Sequence, residues 1–412
     1  MYNVIIFYEH IVREYAACVN LKKIFSDQGV NAYIFSIAFE WMDAVLLSRK
    51  IKIDCLLMPW MYIDENYDLV QPFIKNNSKI KIVNLHHEQI GSPVSQQVLI
   101  PHSENAKNQV FHFCWGESFA TQLEKNAVSK DLIYITGNIR NDLASKTNYT
   151  REYLSQRYNL NPSKKWILFS ETRTWVFDKR DLIKKDYMAA GISDIEFEKY
   201  RKITKDSLVK TLNEFQELPD CFFDSYEIIY RPHPGQWEPQ DINARVKVIR
   251  GLSIYDWIQN VDINLTWSST SIFESDIDNI TSILYEPVPH NPKFRPIGID
   301  EYPSVHSFID LMNIDTKQIK EEEANKKIYL KYLGVVDGNS TNRVVQGVLD
   351  IIQKDQHCAK FVGMNWKRYI RQFLYEKCTK IVVRLNILSI IKFPRSAFAE
   401  MRDIPYIKEN IK

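Results

Sequence analysis

Short apolar runs, many of them β-branched, recur along this chain and alternate with longer segments of helical period. They read NVIIFY at 3–8, NAYIFS at 31–36, DCLLMP at 54–59 and IKIVNL at 80–85. Helical stretches over 11–28, 39–50 and 67–76 lie between them. Runs at 110–115 and 132–136 follow, separated by a helix at 118–126, and Gly137-Asn138-Ile139-Arg140-Asn141-Asp142 is expected to open another helix. Strands spaced by helices in this way build βαβ units, and hence a parallel sheet covered by helices.

The pattern then restarts. A polar stretch, 145–165, precedes WILFS at 166–170, a long charged helix at about 194–217, and strands at 226–231, 246–249, 262–266 and 282–285. A helix over 339–354 closes the series. At 412 residues the chain exceeds what one core usually serves. The expectation is therefore an α/β protein of two Rossmann-like domains facing a cleft, 1–158 and 159–355, with a helical basic tail at 356–412. Neither half contains GxGxxG or GxxxxGK, and there are only 12 glycines in all, which disfavours dinucleotide oxidoreductases and P-loop kinases.

Charge is unevenly placed. The formal net charge is +2, yet residues 359–412 hold 12 Lys+Arg against 4 Asp+Glu. A slightly acidic body thus carries a basic tail, and nothing in this balance calls for a nucleic-acid partner. Lys and Arg are mixed with aromatic and aliphatic residues at helical spacing from Trp366 onward, which suits an anionic membrane surface or a helix packed on the protein. The six cysteines are scattered without metal-ligand spacing and read as reduced thiols. No run approaches a spanning helix, and MYNVIIFYEH reads as a first strand, so a cytoplasmic protein, or one peripheral on the inner membrane, is expected.

Two loop ends in the second half carry the clearest chemistry. YEIIYR delivers Arg231-Pro232-His233-Pro234 to a strand terminus, and DINLT delivers Trp267-Ser268-Ser269-Thr270-Ser271 to a helix start. In open parallel sheets ligands bind at the carboxyl ends of the strands. An imidazole and an arginine there suit a phosphate, as does a row of hydroxyls before a helix. The same residues also make good turn and cap chemistry. Glu274, one turn into the helix, and Asp276 can accept from ribose hydroxyls or simply favour a helix start.

The pair RPHP and SSTSIFESD, after a first domain ending in TGNIRND, resembles the GT-B glycosyltransferases of bacterial surface polysaccharides. Two branches share that look: transferases of CMP-activated acidic sugars, and CDP-alditol transferases of teichoic-acid type. YEHIVREYAAC and NLHHEQIG are similar to segments of surface carbohydrate biosynthesis proteins. The resemblance implies that His233, Ser268, Ser269 and Thr270 hold the donor phosphate.

In the first half, His86-His87-Glu88-Gln89 follows a strand. Glycosyl transfer needs a base for the acceptor hydroxyl, and Glu88 is the candidate, with His87 second. Glu171, just past WILFS and near Arg173, is a third candidate catalytic carboxylate. Glu9, His10 and Arg13 are placed for an acceptor, although Arg13 and Glu14 also read as surface charges. Asn138 and Arg140 are candidate contacts to donor phosphate, and 175–192 reads as a lid. No Asp-x-Asp stands at a strand end, so neither a metal nor a resident cofactor is expected. The overall expectation is a metal-independent transferase moving an acidic sugar, such as Kdo or a nonulosonate, from a CMP donor to a glycan or lipid-linked acceptor. The alternatives are a CDP-glycerol or ribitol-phosphate transferase, a UDP-sugar epimerase, and a non-catalytic glycan- or nucleotide-binding partner.

Overall fold

A computed structural model describes residues 1–144, 146, 149–177, 182–189, 191–233, 242–354, 357–385 and 408. The chain forms two compact units. The first comprises 1–89, 99–142 and 334–412, the second 90–98 and 143–333.

Unit one is built on β1 (Asn3–Tyr8), β2 (Asn31–Ser36), β3 (Cys55–Met58), β4 (Lys81–Asn84), β5 (Phe111–Cys114) and β6 (Ile133–Ile135). All pair in parallel in the order β2-β1-β3-β4-β5-β6. Unit two uses β7 (Lys165–Ser170), β8 (Tyr226–Arg231), β9 (Lys247–Val248), β10 (Ile263–Thr266), β11 (Thr281–Tyr285) and β12 (Ser304–Val305). Their order is β12-β11-β10-β7-β8-β9, again all parallel. Two parallel six-stranded α/β sheets of this kind are the GT-B pair of Rossmann-like domains.

Each sheet is covered on both faces, which is why its strands read as nearly continuous apolar runs. In β7, Ile167 and Phe169 join one core with Tyr230, Leu265 and Tyr285, while Trp166 and Leu168 join another with Ile229 and Trp257. Each sheet also reverses its winding once. The reversal falls between β1 and β3 in unit one and between β7 and β10 in unit two. Side chains there are free to splay apart and admit a ligand.

Six helices enter the argument: α1 (Ile11–Asp27), α2 (Trp41–Ser48), α3 (Asp194–Glu217), α4 (Ser271–Ile277), α5 (Ser340–Gln353) and α6 (Trp366–Arg384). Three departures from expectation concern boundaries. The chain passes from unit one to unit two at 142/143, not near 158. The polar stretch that suggested a linker contains a helix, Arg151–Tyr158, whose Leu154 and Tyr158 pack into the second unit's core. The closing helix and tail belong to unit one: α5 packs on α1 and β4, burying Val344, Val345, Val348 and Ile351. Residues 137–142 do not open an α-helix. They make a sharp bend at Gly137 (φ +81°), where a Cβ would collide with Ser340 Oγ, followed by the short 3-10 turn Asn141–Leu143.

The expected lid region holds a 3-10 turn, Thr174–Phe177, and a helix, Leu182–Ala189. Trp175 is docked beside Phe197 and Tyr200 of α3. Residues 178–181 and Ala190 of that stretch lie outside the described residues, as do 234–241, 355–356, 386–407 and 409–412. Among the described residues no helix is long and apolar enough to cross a membrane.

Candidate functional site

Unit one gathers its charged residues at the reversal. β1 ends at Tyr8, so Glu9 and His10 leave the sheet at its carboxyl edge and α1 starts at once. No side chain of His10 caps that helix; Glu14 reaches back instead, accepting from the N–H groups of Glu9 (2.7 Å) and His10 (3.3 Å). This satisfies orphan donors of the first turn, much as an acid at N3 does in a capping box. Glu14 is 1% exposed and also receives Arg13 Nε at 2.8 Å.

β4 delivers the second half of the cluster. His86 takes φ +46°, an uncommon backbone state for a residue with a side chain, and its N–H donates to Asn84 Oδ1 at 3.0 Å. That bend turns His86 inward, where Nε2 meets His112 Nδ1 at 2.8 Å. His87 follows with Nδ1 at 3.0 Å from Glu14 Oε2, a charge contact, and among the described residues neither of its buried ring nitrogens has a hydrogen-bond partner. Glu88, about half exposed, receives Arg13 Nη1 at 2.6 Å, and Glu9 lies 3.4 Å from Arg13 Nη2. Five of the expected residues thus stand at one edge of one sheet: Glu9, His10, Arg13, His87 and Glu88.

The electrostatics follow from this packing. Burial alone would raise the Glu14 carboxyl, but His87 and Arg13 outweigh it and hold it well below the usual carboxylate range. Glu9 moves up, chiefly through burial, with His10 and Arg13 opposing. Burial pulls Arg13 down, yet Glu14, Glu88 and Glu9 together raise it above the ordinary arginine value. His86 and His112 are pushed down by burial, His112 to about 4, and form a neutral buried pair.

Asn138 and Arg140, expected on a donor phosphate, lie in unit one and are buried. Arg140 Nη2 donates to the His87 carbonyl at 2.9 Å, and Asn138 Oδ1 receives the Arg140 N–H at 3.0 Å. They brace the loop that carries His87.

Unit two assembles a different site. Its reversal is spanned by a hydroxyl contact, Thr172 Oγ1 to Ser268 Oγ at 3.2 Å. Thr266 Oγ1 accepts from Ser269 N at 3.0 Å and Ser269 Oγ from Ser271 N at 3.2 Å, so successive hydroxyls shape the turn. Thr270 occupies the N-cap position without a side-chain cap bond. Ser170 Oγ and Ser271 Oγ are buried with no hydrogen-bond partner among the described residues. Ser268, Ser269 and Thr270 are half-buried, as is His233 at the end of β8. β8 and β10 flank β7, so these loop ends start two strand spacings apart, roughly 10 Å.

Several expected ligands are occupied elsewhere. Arg231 donates to the carbonyls of Gly251 (2.9 Å) and Leu252 (3.0 Å), and burial lowers it to about 10. Asp276 receives the Tyr302 hydroxyl at 2.9 Å and Tyr329 N at 3.0 Å, and the neighbouring Glu274 is buried. Glu171 leaves the sheet at the reversal, but its carboxylate is wholly buried: Arg173 Nε and Nη2 donate to it at 2.9 and 2.7 Å, and Thr172 N at 2.8 Å. Arg173 continues to Ser207 Oγ (2.7 Å) and Thr211 Oγ1 (2.9 Å) on α3. Burial would raise Glu171, and Arg173 more than offsets it, so the carboxyl stays below its ordinary value.

Two groups had no sequence signal. Glu14 looked like any acid in a first helical turn. His290 is 7% exposed beside Trp267 (ring centroids 4.7 Å), both nitrogens lack hydrogen-bond partners among the described residues, and burial lowers it to about 3.

No family model and no curated sequence matches the chain. Solved structures share its fold at low identity. The wall teichoic acid polymerase TagF, in an H444N form soaked with CDPG, aligns with TM-score 0.53 and 12% identity, over 85% of this chain and 89% of that one. The S. aureus MnaA–UDP co-structure aligns with TM-score 0.51 and 12% identity, over 86% and 98%. A UDP-N-acetylglucosamine 2-epimerase aligns with TM-score 0.50 and 13% identity, over 85% and 95%. At such identities the likeness fixes the fold.

Proposed function

We propose that the chain is a nucleotide-sugar-dependent transferase whose second unit holds the donor and whose first unit activates the acceptor. The observation that carries the reading is the Glu14–His87 pair. A buried carboxylate lies 3.0 Å from Nδ1 and places a negative charge beside the imidazole. Nε2, without a hydrogen-bond partner among the described residues, is left to take a proton. This moves the base from Glu88, which is engaged by Arg13 in a half-exposed pair, to His87.

In the step, the acceptor oxygen bonds to the anomeric carbon as that carbon's bond to the donor phosphate breaks. The acceptor proton passes to His87 Nε2, and the bonding pair leaves on the phosphate oxygen. His233 and the hydroxyls of Ser268, Ser269 and Thr270 receive that charge, as donors fixed in place before the reaction. Glu171 serves here as a positioning residue, holding Arg173 and the Thr172 turn beside Ser268. The donor we favour is a CMP-activated acidic sugar, and the acceptor a surface glycan or lipid-linked glycan. The second reading, alditol-phosphate transfer from a CDP donor, uses the same groups on a phosphorus centre; its support is the resemblance in the two loop ends together with the shape shared with TagF.

Product analysis separates these readings. The protein is incubated with CMP-sugars, CDP-glycerol and UDP-N-acetylglucosamine, with and without a glycan acceptor. Acceptor gaining sugar mass supports the first reading, and acceptor gaining glycerol phosphate the second. An epimerised UDP-sugar formed without acceptor, or no product from any donor, rejects the transferase.

A further inference from the structure

Helix α6 carries its apolar side outward. Against the rest of unit one it sets polar groups: Gln372 Nε2 donates to Ala38 O at 3.1 Å, and Glu376 accepts from Met42 N at 3.1 Å through both oxygens. Lys380 pairs with Asp43 at 2.7 Å, Thr379 is buried, and Tyr369 meets Trp41 edge-on at 5.6 Å. Away from the protein stand Trp366, Ile370, Leu374, Ile381 and Leu385, each more than half exposed, with Phe373 close behind. Steps of three, four and seven residues keep these on one stripe of the helix. A surface helix normally buries its apolar stripe and shows its polar one, and here the arrangement is reversed.

The stripe runs the length of a 19-residue helix, about 28 Å at 1.5 Å per residue. Exposed basic residues lie on and beside it: Lys367, Arg371, Lys377 and Arg384. The helix has one acid, Glu376, and it faces inward. An isologous contact with a second copy would set these four cations against four more, which argues against self-pairing. Aromatic and aliphatic side chains that insert shallowly, framed by cations that meet phosphate, match the headgroup region of an anionic bilayer.

We infer that the outward face of α6 is a docking surface for an anionic lipid bilayer, with Trp366, Ile370, Phe373, Leu374 and Ile381 entering the headgroup region and Lys367, Arg371, Lys377 and Arg384 binding lipid phosphate. The inference stands apart from the transferase reading, since none of these residues belongs to either sheet reversal. It gives that reading a location, next to lipid-linked acceptors.

The full-length protein is sedimented with vesicles of phosphatidylcholine alone, and of phosphatidylcholine mixed with phosphatidylglycerol. Binding to the mixed vesicles, weakened by salt, is expected, with little binding to neutral ones. Ile370→Asp with Leu374→Asp should lower the bound fraction more than ten-fold, and Lys367→Glu with Arg371→Glu should do the same. Both pairs point to solvent, so melting temperatures should match the parent. Absence of wild-type binding to the mixed vesicles, or undiminished binding by both variants, overturns the inference. So does a dimer in sedimentation equilibrium that the Ile370→Asp/Leu374→Asp variant abolishes, which would make the occupant a second copy.

Discussion

The two sheet reversals use the same architecture for opposite electrostatics. In unit one, charge stands at the carboxyl edge of the sheet: Glu14, His87, Arg13, Glu88 and Glu9 form one connected cluster. In unit two the charged pair is sealed away, with Glu171 and Arg173 each wholly buried, and the edge presents hydroxyls and His233. A cluster of coupled titratable groups is suited to moving a proton. A row of neutral donors over a locked ion pair is suited to receiving an anion without reorganising. The fold alone therefore does not dictate the chemistry of a reversal; the residues just past each strand end do.

The sharpest way to break this comparison is to remove the proposed proton acceptor. His87→Gln should lower turnover by about 10²–10⁴, the usual range for a lost general base, with a circular dichroism spectrum like the parent's. Glu14→Gln should lower turnover too, by less than His87→Gln does. A loss of folded signal with rates per folded molecule unchanged would reduce the cluster to a structural one.

The next largest effect belongs to unit two and is read in stability. Arg173→Ala leaves the Glu171 charge buried and alone, and urea melts should lose about 3–5 kcal/mol. A loss below about 1 kcal/mol would show that water reaches the pair and that the edge is not sealed.

Acid should act on both units through their buried histidines, and His112 of unit one is the simpler case. His112 sits near 4 when folded, below the ordinary histidine value of about 6.5. The unfolded chain therefore binds the proton first as pH falls from about 6.5, and stability drops until about pH 4. At about 1.4 kcal/mol per pKa unit the loss is on the order of 3 kcal/mol. His112→Asn should make that limb of a urea-stability profile shallower, with His86 and His290 still contributing to it, and an unchanged limb would place the acid sensitivity elsewhere. The smallest effect is expected from Glu88→Gln, whose half-exposed pair with Arg13 should contribute about 0.2–1 kcal/mol. A larger loss would mean that Glu88, not Glu14, anchors the cluster.

Much of the fold was legible in the sequence because β-branched runs leave few alternatives. β1, β2 and β8 occupy the ranges their patterns predict. The unit boundary was not legible, because a polar helix at Arg151–Tyr158 looks like a linker until its Leu154 is seen in a core. The site was legible as positions more than as roles. His87, Glu88, Ser268 and Thr270 lie past strand ends, as their neighbours in the sequence imply. Glu14 was missed because an acid in a first helical turn is ordinarily a solvated partner of the helix dipole, and here three elements close over it. Glu171 and Arg231 follow strands as candidate ligands do, yet their partners, Arg173 and the carbonyls of 251 and 252, come from packing that no spacing records. In the tail the basic and apolar residues were plain from composition. Which side faces outward depended on where Gln372 and Glu376 find their partners on α2 and the residues before it.

Isothermal titration of CMP and CDP into the parent protein, His87→Gln and a Ser268→Ala/Thr270→Ala double variant tests the division of labour most directly. The account predicts that His87→Gln binds nucleotide as the parent does while failing to turn over, and that the double variant loses binding at least ten-fold. Loss of nucleotide binding in His87→Gln, with parent-like binding in the double variant, would contradict it.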